Sequence, residues 1–313
     1  MCDLDEMANA EEQPHSAGYF DAVRDYWWNL DYLGLIATRL RLDRVRTVLD
    51  VGAGVGHWGR TLAMVLSGEA SVVGVDREPE WVSAATRIAV QRGLGERLTY
   101  ALGVAEELAF ADASFDLVTC QTVLIHVPDP RAVLREMLRV TKPGGLVLLA
   151  EPNNFASHAI GTSETADWST DEIVDRLRFA LICERGKEAL GEGNISIGDL
   201  LPGYLAEVGA ECIQVFTSDK ASPMFPPYES PEQQELRTAE LENASLEQWV
   251  WPKNQAKRYF LAGGGTTEQF ESGWQRRLDE TQRTAAAIRA STFHGAGGCV
   301  QYVIAGRRAS GRP

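Results

Sequence analysis

Thr47-Val48-Leu49-Asp50-Val51-Gly52-Ala53-Gly54-Val55-Gly56 decides how this chain is read. The segment from Val45 to Val51 is apolar enough for a buried strand, and the glycines that follow make a tight turn. Glycine is required where backbone must turn sharply or let a ligand lie against it. In α/β sheets such a turn falls at the carboxyl end of a strand, in the crevice where ligands bind. The turn alone does not choose the ligand. Gly54, Gly56 and Gly59 satisfy the G-x-G-x-x-G spacing of dinucleotide enzymes, but counted from Gly52 the third glycine is replaced by His57. Asp50, just before the first glycine, also departs from a turn that offers open backbone amides to a pyrophosphate.

Outward from this turn, strand and helix patterns alternate. Arg60 to Leu66 continues a helix that begins in the turn. Ser71 to Val75 reads as a second strand, and Pro79 to Arg92 as a helix with Trp81, Val82, Ala85, Ile88 and Ala89 on one face. Leu98 to Ala101 and Phe115 to Cys120 are further strands. Pro130 to Val140 is a helix stopped by Lys142-Pro143-Gly144-Gly145, and Leu146 to Ala150 a fifth strand. This alternation predicts a parallel sheet covered by helices on both faces.

Beyond Glu151 the texture changes. Ser169 and Glu172 form a capping box, with Trp168 and Ile173 spaced as its hydrophobic staple and Ile173, Leu177 and Leu181 on one helix face. Asp199 to Val208 is another helix, and Glu211 to Thr217 alternates as a sixth strand. Pro223, Pro226, Pro227 and Pro231 break the chain before Ser230 opens a helix with proline in its first turn. Residues 267–290 carry Phe270, Trp274, Leu278, Ala285 and Ile288 in helical step, and Cys299 to Ala305 reads as the last strand.

Composition excludes several classes. The chain has 313 residues and a net charge of −14, from 30 basic and 44 acidic side chains. That sign opposes nucleic acid or an anionic membrane as a partner, since both reward clustered Lys and Arg. No apolar run reaches the ~20 residues of a membrane span. The first residues are acidic and unlike a signal peptide, so a cytoplasmic location is expected. Cys2, Cys120, Cys183, Cys212 and Cys299 form no C-x-x-C, and the histidines show no metal spacing, so no metal site is expected.

The order of short motifs around the glycine turn resembles that of class I S-adenosylmethionine-dependent methyltransferases, in the branch of the ubiquinone and menaquinone methyltransferases. The stretch from Thr47 to Gly56 resembles their first motif. Val72-Val73-Gly74-Val75-Asp76 resembles the second strand with its ribose-binding acid. Ala105-Glu106-Glu107-Leu108-Ala109-Phe110 followed by Ser114-Phe115-Asp116-Leu117-Val118 resembles the adenine loop and fourth strand. His126-Val127-Pro128-Asp129 and Leu138 to Gly145 complete the order. The likeness covers residues 45 to 150.

The resemblance implies a Rossmann-like, mostly parallel seven-stranded sheet with its last strand antiparallel. It implies S-adenosylmethionine as cofactor, S-adenosylhomocysteine as product and a small-molecule methyl acceptor. Asp76 would accept from the ribose hydroxyls, with Arg77 beside it. Gly52, Gly54 and Gly56 would border the methionine part. Asp50 would hold the turn or reach the amino group. Ala105 would offer its amide to adenine with Glu106 as neighbour, and Gln121 would follow strand four toward methionine. Tyr19 and Trp27, with Trp28, sit where related enzymes place an N-terminal lid. Val104 stands where relatives often carry Asp, so either Glu106 or a backbone carbonyl accepts from the adenine amino group, or adenine selectivity is looser.

His126 or a tyrosine of the lid is the candidate general base for an oxygen or carbon acceptor; for His126 a satisfied core or helix-start role is the plainer reading. Glu151, Asn153 and Asn154 stand at the mouth of the crevice or merely cap a loop. His57 and His158 are given no role. The expected organisation is a tail and helical lid over 1–44, a core over 45–222 with 295–309, and a helical insertion over 223–294 that shapes the acceptor pocket. Its aromatic residues also leave a homodimer open. Two alternatives remain at this stage. One is a nicotinamide-dependent oxidoreductase or epimerase, disfavoured because no tyrosine has lysine four residues on. The other is a non-catalytic S-adenosylmethionine-binding protein.

Overall fold

The computed structural model describes residues 23–310. Tyr19, expected in the lid, lies outside the described residues. A 3-10 turn over Val23–Tyr26 leads into α1 (Leu30–Leu40), and the alternating core follows: β1 (Thr47–Val51), α2 (His57–Ala63), β2 (Ser71–Asp76), α3 (Pro79–Gln91), β3 (Leu98–Leu102), β4 (Phe115–Gln121), α4 (Pro130–Val140) and β5 (Thr141–Asn153). Then come α5 (Asn154–Ser157), α6 (Thr170–Ala189), α7 (Leu201–Glu207), β6 (Ala210–Thr217), α8 (Pro231–Ser245), α9 (Lys253–Ala262), α10 (Thr267–Arg289) and β7 (Val300–Arg308).

The seven strands form one sheet in the order β3-β2-β1-β4-β5-β7-β6. Strands β1 to β5 pair in parallel, and β7 runs antiparallel between β5 and β6, as the resemblance implies. Lys142-Pro143-Gly144-Gly145 does not separate α4 from β5. It belongs to β5, which pairs Thr141 with Phe115 and then, after an irregularity, Leu146 with Leu117.

Alternate residues along each strand feed two cores, because side chains on a strand point to opposite faces. Val48, Leu117, Leu146, Leu148 and Val303 pack with α1 and α2 through residues such as Ile36 and Leu62. Leu49, Val51, Val118, Val147 and Ile304 pack with α4 and α7 through residues such as Leu134 and Leu205. The sheet is therefore covered on both faces.

A third cluster joins helices from two separate stretches of the chain. Phe179 and Cys183 of α6, which follows β5, pack with Tyr259 and Phe260 of α9 and with Phe270 and Trp274 of α10. Thus α6 shares a helical cap with the insertion between β6 and β7. Its buried face is Phe179, Ala180, Cys183, Glu184, Gly186 and Lys187, whereas Ile173 is 40% exposed. The capping box at Ser169 and Glu172 is present, but exposed Ile173 makes a poor staple. Close approach of α6 and α9 needs glycine: a Cβ on Gly186 would lie 1.6 Å from the Tyr259 carbonyl oxygen, and one on Gly263 would lie 2.0 Å from that of Ile182.

The cap is tied back to the sheet's carboxyl edge. Met224 and Gly295 exchange backbone hydrogen bonds of 2.9 Å, and the Ser163 N–H donates to the His294 carbonyl at 2.8 Å. Helix α8 packs against the Val23–Tyr26 turn.

Candidate active site

The chain leaves β1 toward β2 and β3 on one side of the sheet, while β4 and β5 lie on the other. The crevice between β1 and β4 is thus the switch point at which α/β sheets bind ligands. Three sequence-predicted elements meet there: the glycine turn after β1, Asp76 ending β2, and Gln121 ending β4.

Gly52, Gly54 and Gly56 have φ values of 65°, 52° and 77°, the left-handed region that other residues avoid. Space is equally tight. A Cβ on Gly52 would lie 2.5 Å from Val123 Cγ2, and one on Gly56 would lie 2.2 Å from the Tyr100 hydroxyl oxygen. The Tyr100 ring also occupies the space beside Gly74. Sequence reasoning did not select Tyr100; the glycine inside β2 was the available signal, since glycine in a strand marks close approach.

Asp76 fixes the turn from the next strand. Its Oδ2 accepts the Gly54 N–H at 2.7 Å and its Oδ1 accepts the Glu78 N–H at 3.0 Å. A carboxylate has about four acceptor positions, so capacity remains for further donors. Asp50 is 1% exposed, and its Oδ2 accepts the Gly59 N–H at 3.0 Å at the start of α2. Of its two expected roles, this contact supplies the first, holding the turn. Burial pushes its carboxyl up to about 8, with Asp76 adding to the rise and the Gly59 N–H and Arg60 opposing it. Its Oδ1 is buried without a hydrogen-bond partner.

Gln121 is anchored from the segment just before α1. The Trp28 indole N–H donates to Gln121 Oε1 at 3.3 Å, and the Trp28 and Trp58 rings lie 5.1 Å apart. Trp58 in turn donates to Thr119 Oγ1 at 2.8 Å. Trp27 instead meets the edge of His57 at 6.2 Å, beneath the Arg24 guanidinium. His57 is buried; desolvation and the nearby Arg60 and Arg24 push its imidazole down to about 4. Arg77 is largely exposed and pairs with Glu78 at 3.3 Å. Ala105 is half-buried in the loop after β3, and Glu106 is exposed.

Glu151 was read as either a crevice residue or a loop cap, and its contacts are those of a cap for the turn after β4. It is fully buried in β5, and its Oε1 accepts the N–H groups of Val123 at 2.8 Å and Leu124 at 3.0 Å. Burial raises its carboxyl to about 7, against the pull of those N–H groups. His126 ends the same turn, in a 3-10 segment over Leu124–His126. Thus β5 sets the shape of the segment that carries the weak base candidate and, through Val123, meets Gly52.

The residues present suit an adenosyl cofactor: glycines that let a ligand approach, an acid at the end of β2, and indoles docked on β4. Among the described residues no group of His, Cys, Asp and Glu could hold a metal ion, and no helix is long and apolar enough to cross a membrane.

Comparison with known proteins agrees with this geometry. A family model described as a methyltransferase domain matches residues 42–195. The chain is 34% identical over 164 residues to the ubiquinone biosynthesis O-methyltransferase of Xanthomonas euvesicatoria, a match covering 47% of this chain and 66% of that protein. It is 32% identical over 182 residues to the enzyme of that name in Xanthomonas oryzae, covering 50% of this chain and 74% of that protein. The chain therefore spans slightly under two thirds of the first relative and slightly more of the second. The YcgJ protein of Bacillus subtilis shares the fold, with a TM-score of 0.50, 20% identity, and coverage of 90% of this chain and all of that one.

Proposed function

The chain belongs to the S-adenosylmethionine-dependent methyltransferases, and on that premise we propose that it transfers a methyl group to a small-molecule acceptor held beneath the helical cap. The observation that carries this reading is the joint placement of Gly52, Gly54, Asp76 and Gln121 at one switch point. Family membership displaces the nicotinamide alternative.

When bound, S-adenosylmethionine supplies a methyl group already activated as a sulfonium. The protein's task is then to bind, orient and exclude water. The left-handed glycines let the backbone border the methionine part. Asp76 takes the ribose hydroxyls on the acceptor capacity left by Gly54 and Glu78. The Trp28–Gln121 contact closes the lid on the methionine side. Ala105 and Glu106 border adenine. An oxygen acceptor, such as the relatives' names indicate for those proteins, must lose a proton, and His126 is the proposed base.

The cap supplies acceptor selectivity, because α8 meets the lid and α6 reaches the turn after β4 through Lys187 and the Ile125 carbonyl. The protein acts as a soluble cytoplasmic enzyme of small-molecule metabolism, without nucleic acid as a partner. A screen of phenolic, amine and activated-carbon acceptors with methyl-labelled cofactor tests the reading. Label appearing in one acceptor class supports it. A non-catalytic binding protein would take up the cofactor and label none.

A further inference from the structure

One cluster of charged side chains lies inside the cap, away from the glycine turn. Asp175 and Arg176 come from α6; Arg276, Arg277 and Glu280 come from α10. Arg276 takes both oxygens of Asp175 at 2.8 Å in a bidentate pair at the surface. That arrangement leaves Asp175 little to offer Arg277, whose Nη2 stands 3.4 Å from it. Glu280 is the remaining carboxylate paired with two guanidiniums: its Oε1 is 3.2 Å from Arg176 Nε and its Oε2 is 3.4 Å from Arg277 Nε.

Arg176 and Arg277, buried or nearly so, thus share Glu280, and Arg277 also donates to Asp175 Oδ2 at a long 3.4 Å. The Arg277 side chain is 3% exposed and that of Arg176 17%. Arg277 Nε and Nη1, Arg176 Nε and Glu280 Oε2 are all buried without a hydrogen bond, so Glu280 stands near both Nε groups but is not aligned to accept from Arg277, and Nη1 is left without an acceptor. Glu240 of α8 lies near Glu280 but is exposed at the surface. His158 stays neutral, since burial and the two arginines push its imidazole down to about 4, so it brings no negative charge to the cluster. A buried guanidinium without its full set of acceptors is strongly disfavoured unless a counter-anion completes it.

The surroundings say what kind of anion would complete it. The Trp168 ring lies 5.9 Å from the Arg176 guanidinium, and the Phe179 ring 5.9 Å from that of Arg277. Trp249 stacks on His158 at 5.3 Å and meets Phe179 at 5.4 Å. Flat apolar faces around a fork-shaped donor suit a carboxylate attached to an aromatic or similarly flat body. His158 follows β5 by a single helical turn. The span from Glu151 to His158 is on the order of 15 Å, from three extended residues and one such turn. A small molecule can bridge that distance.

Resting on the methyl-transfer reading above, we propose that Arg277 and Arg176 bind the carboxylate of the methyl acceptor, so that the acceptor is a carboxylic acid with a flat, apolar body. The test is calorimetric, on the full chain with and without S-adenosylhomocysteine. The probes are benzoate, 3-phenylpropionate and indole-3-acetate, each against its own carboxamide. At least one acid should bind ten-fold or more tighter than its amide. Arg277→Met and the more accessible Arg176→Gln should each abolish that preference, while Arg276→Gln keeps it. Equal binding of acid and amide, no binding of any acid, or a preference that survives in a folded Arg176→Gln would overturn the proposal. Absence of S-adenosylhomocysteine binding would instead count against the methyl-transfer reading, because the acid and amide comparison is read without it as well.

Discussion

Val123 stands against Gly52, so close that a Cβ on the glycine would lie 2.5 Å from Val123 Cγ2. The turn after β4 and the turn after β1 are therefore fitted to each other. Gly52→Ala introduces both this clash and an L residue at φ 65°. We expect a loss of about 2–3 kcal/mol in unfolding free energy and at least ten-fold weaker S-adenosylhomocysteine binding. Adding Val123→Ala should restore part of the stability, since it removes the clash and leaves the backbone strain. Denaturant unfolding of both variants checks this; no recovery in the double variant would show that the contact is unimportant.

Glu151 holds the same turn from the other side. Glu151→Ala leaves the Val123 and Leu124 N–H groups without their acceptor, and a loss of about 3 kcal/mol is expected. Glu151→Gln keeps an oxygen acceptor and should lose about 1 kcal/mol. Equal losses in urea titrations of the two variants would mean that the carboxylate's charge, not its acceptor role, matters.

Asp50 gives the fold a pH dependence of known sign. Its carboxyl rises from 3.8 to about 8 on folding. Between those values the folded chain holds a proton that the unfolded chain has released. The stability tied to that proton is complete below about pH 4 and falls away as pH rises through about 8. Asp50→Asn cannot titrate but can still accept from Gly59. Its stability relative to the parent should rise between pH 5 and 8, with a limiting slope of about 1.4 kcal/mol per pH unit. Parallel stability curves for the two proteins would contradict this.

Gly186 sets the distance between α6 and α9. Gly186→Ala must push the helices apart against the Tyr259 carbonyl, and we expect a destabilisation on the order of 3 kcal/mol. The buried Trp251 and Trp274 should report loosening of the cap through their fluorescence. A variant with the parent's unfolding midpoint would remove the close crossing from the account.

The sheet and its glycine turn were legible because both signals are local: strand periodicity, left-handed glycines, and an acid at the end of β2. The cap was legible only in pieces. Helix α6 joins α9 across 73 residues (Cys183 to Ala256) and α10 across 101 (Asp175 to Arg276), and no periodicity within one helix records such a partner. Its face was misjudged for a physical reason. Lys187 and Glu184 look like solvent residues, yet both are buried: Lys187 Nζ donates to the Ile125 carbonyl at 3.1 Å, and Glu184 accepts from Ser196 Oγ at 2.9 Å. Ile173, which looked like core, is exposed. Glu151 was noticed but not assigned, since its partners are backbone N–H groups, which leave no mark in sequence. Trp28 rather than Trp27 reaches Gln121, a choice that adjacent tryptophans cannot reveal until the lid is docked.

The central claim is adenosyl-cofactor binding at the glycine turn, and calorimetric titration tests it most directly. The protein would be titrated with S-adenosylmethionine, S-adenosylhomocysteine, NAD and NADP, and the series repeated on Asp76→Ala. Both adenosyl ligands should bind at micromolar concentration, the nicotinamide cofactors should show no comparable binding, and Asp76→Ala should lose at least a hundred-fold in affinity. Failure of the parent protein to bind either adenosyl ligand, or tighter binding of a nicotinamide cofactor, would contradict it.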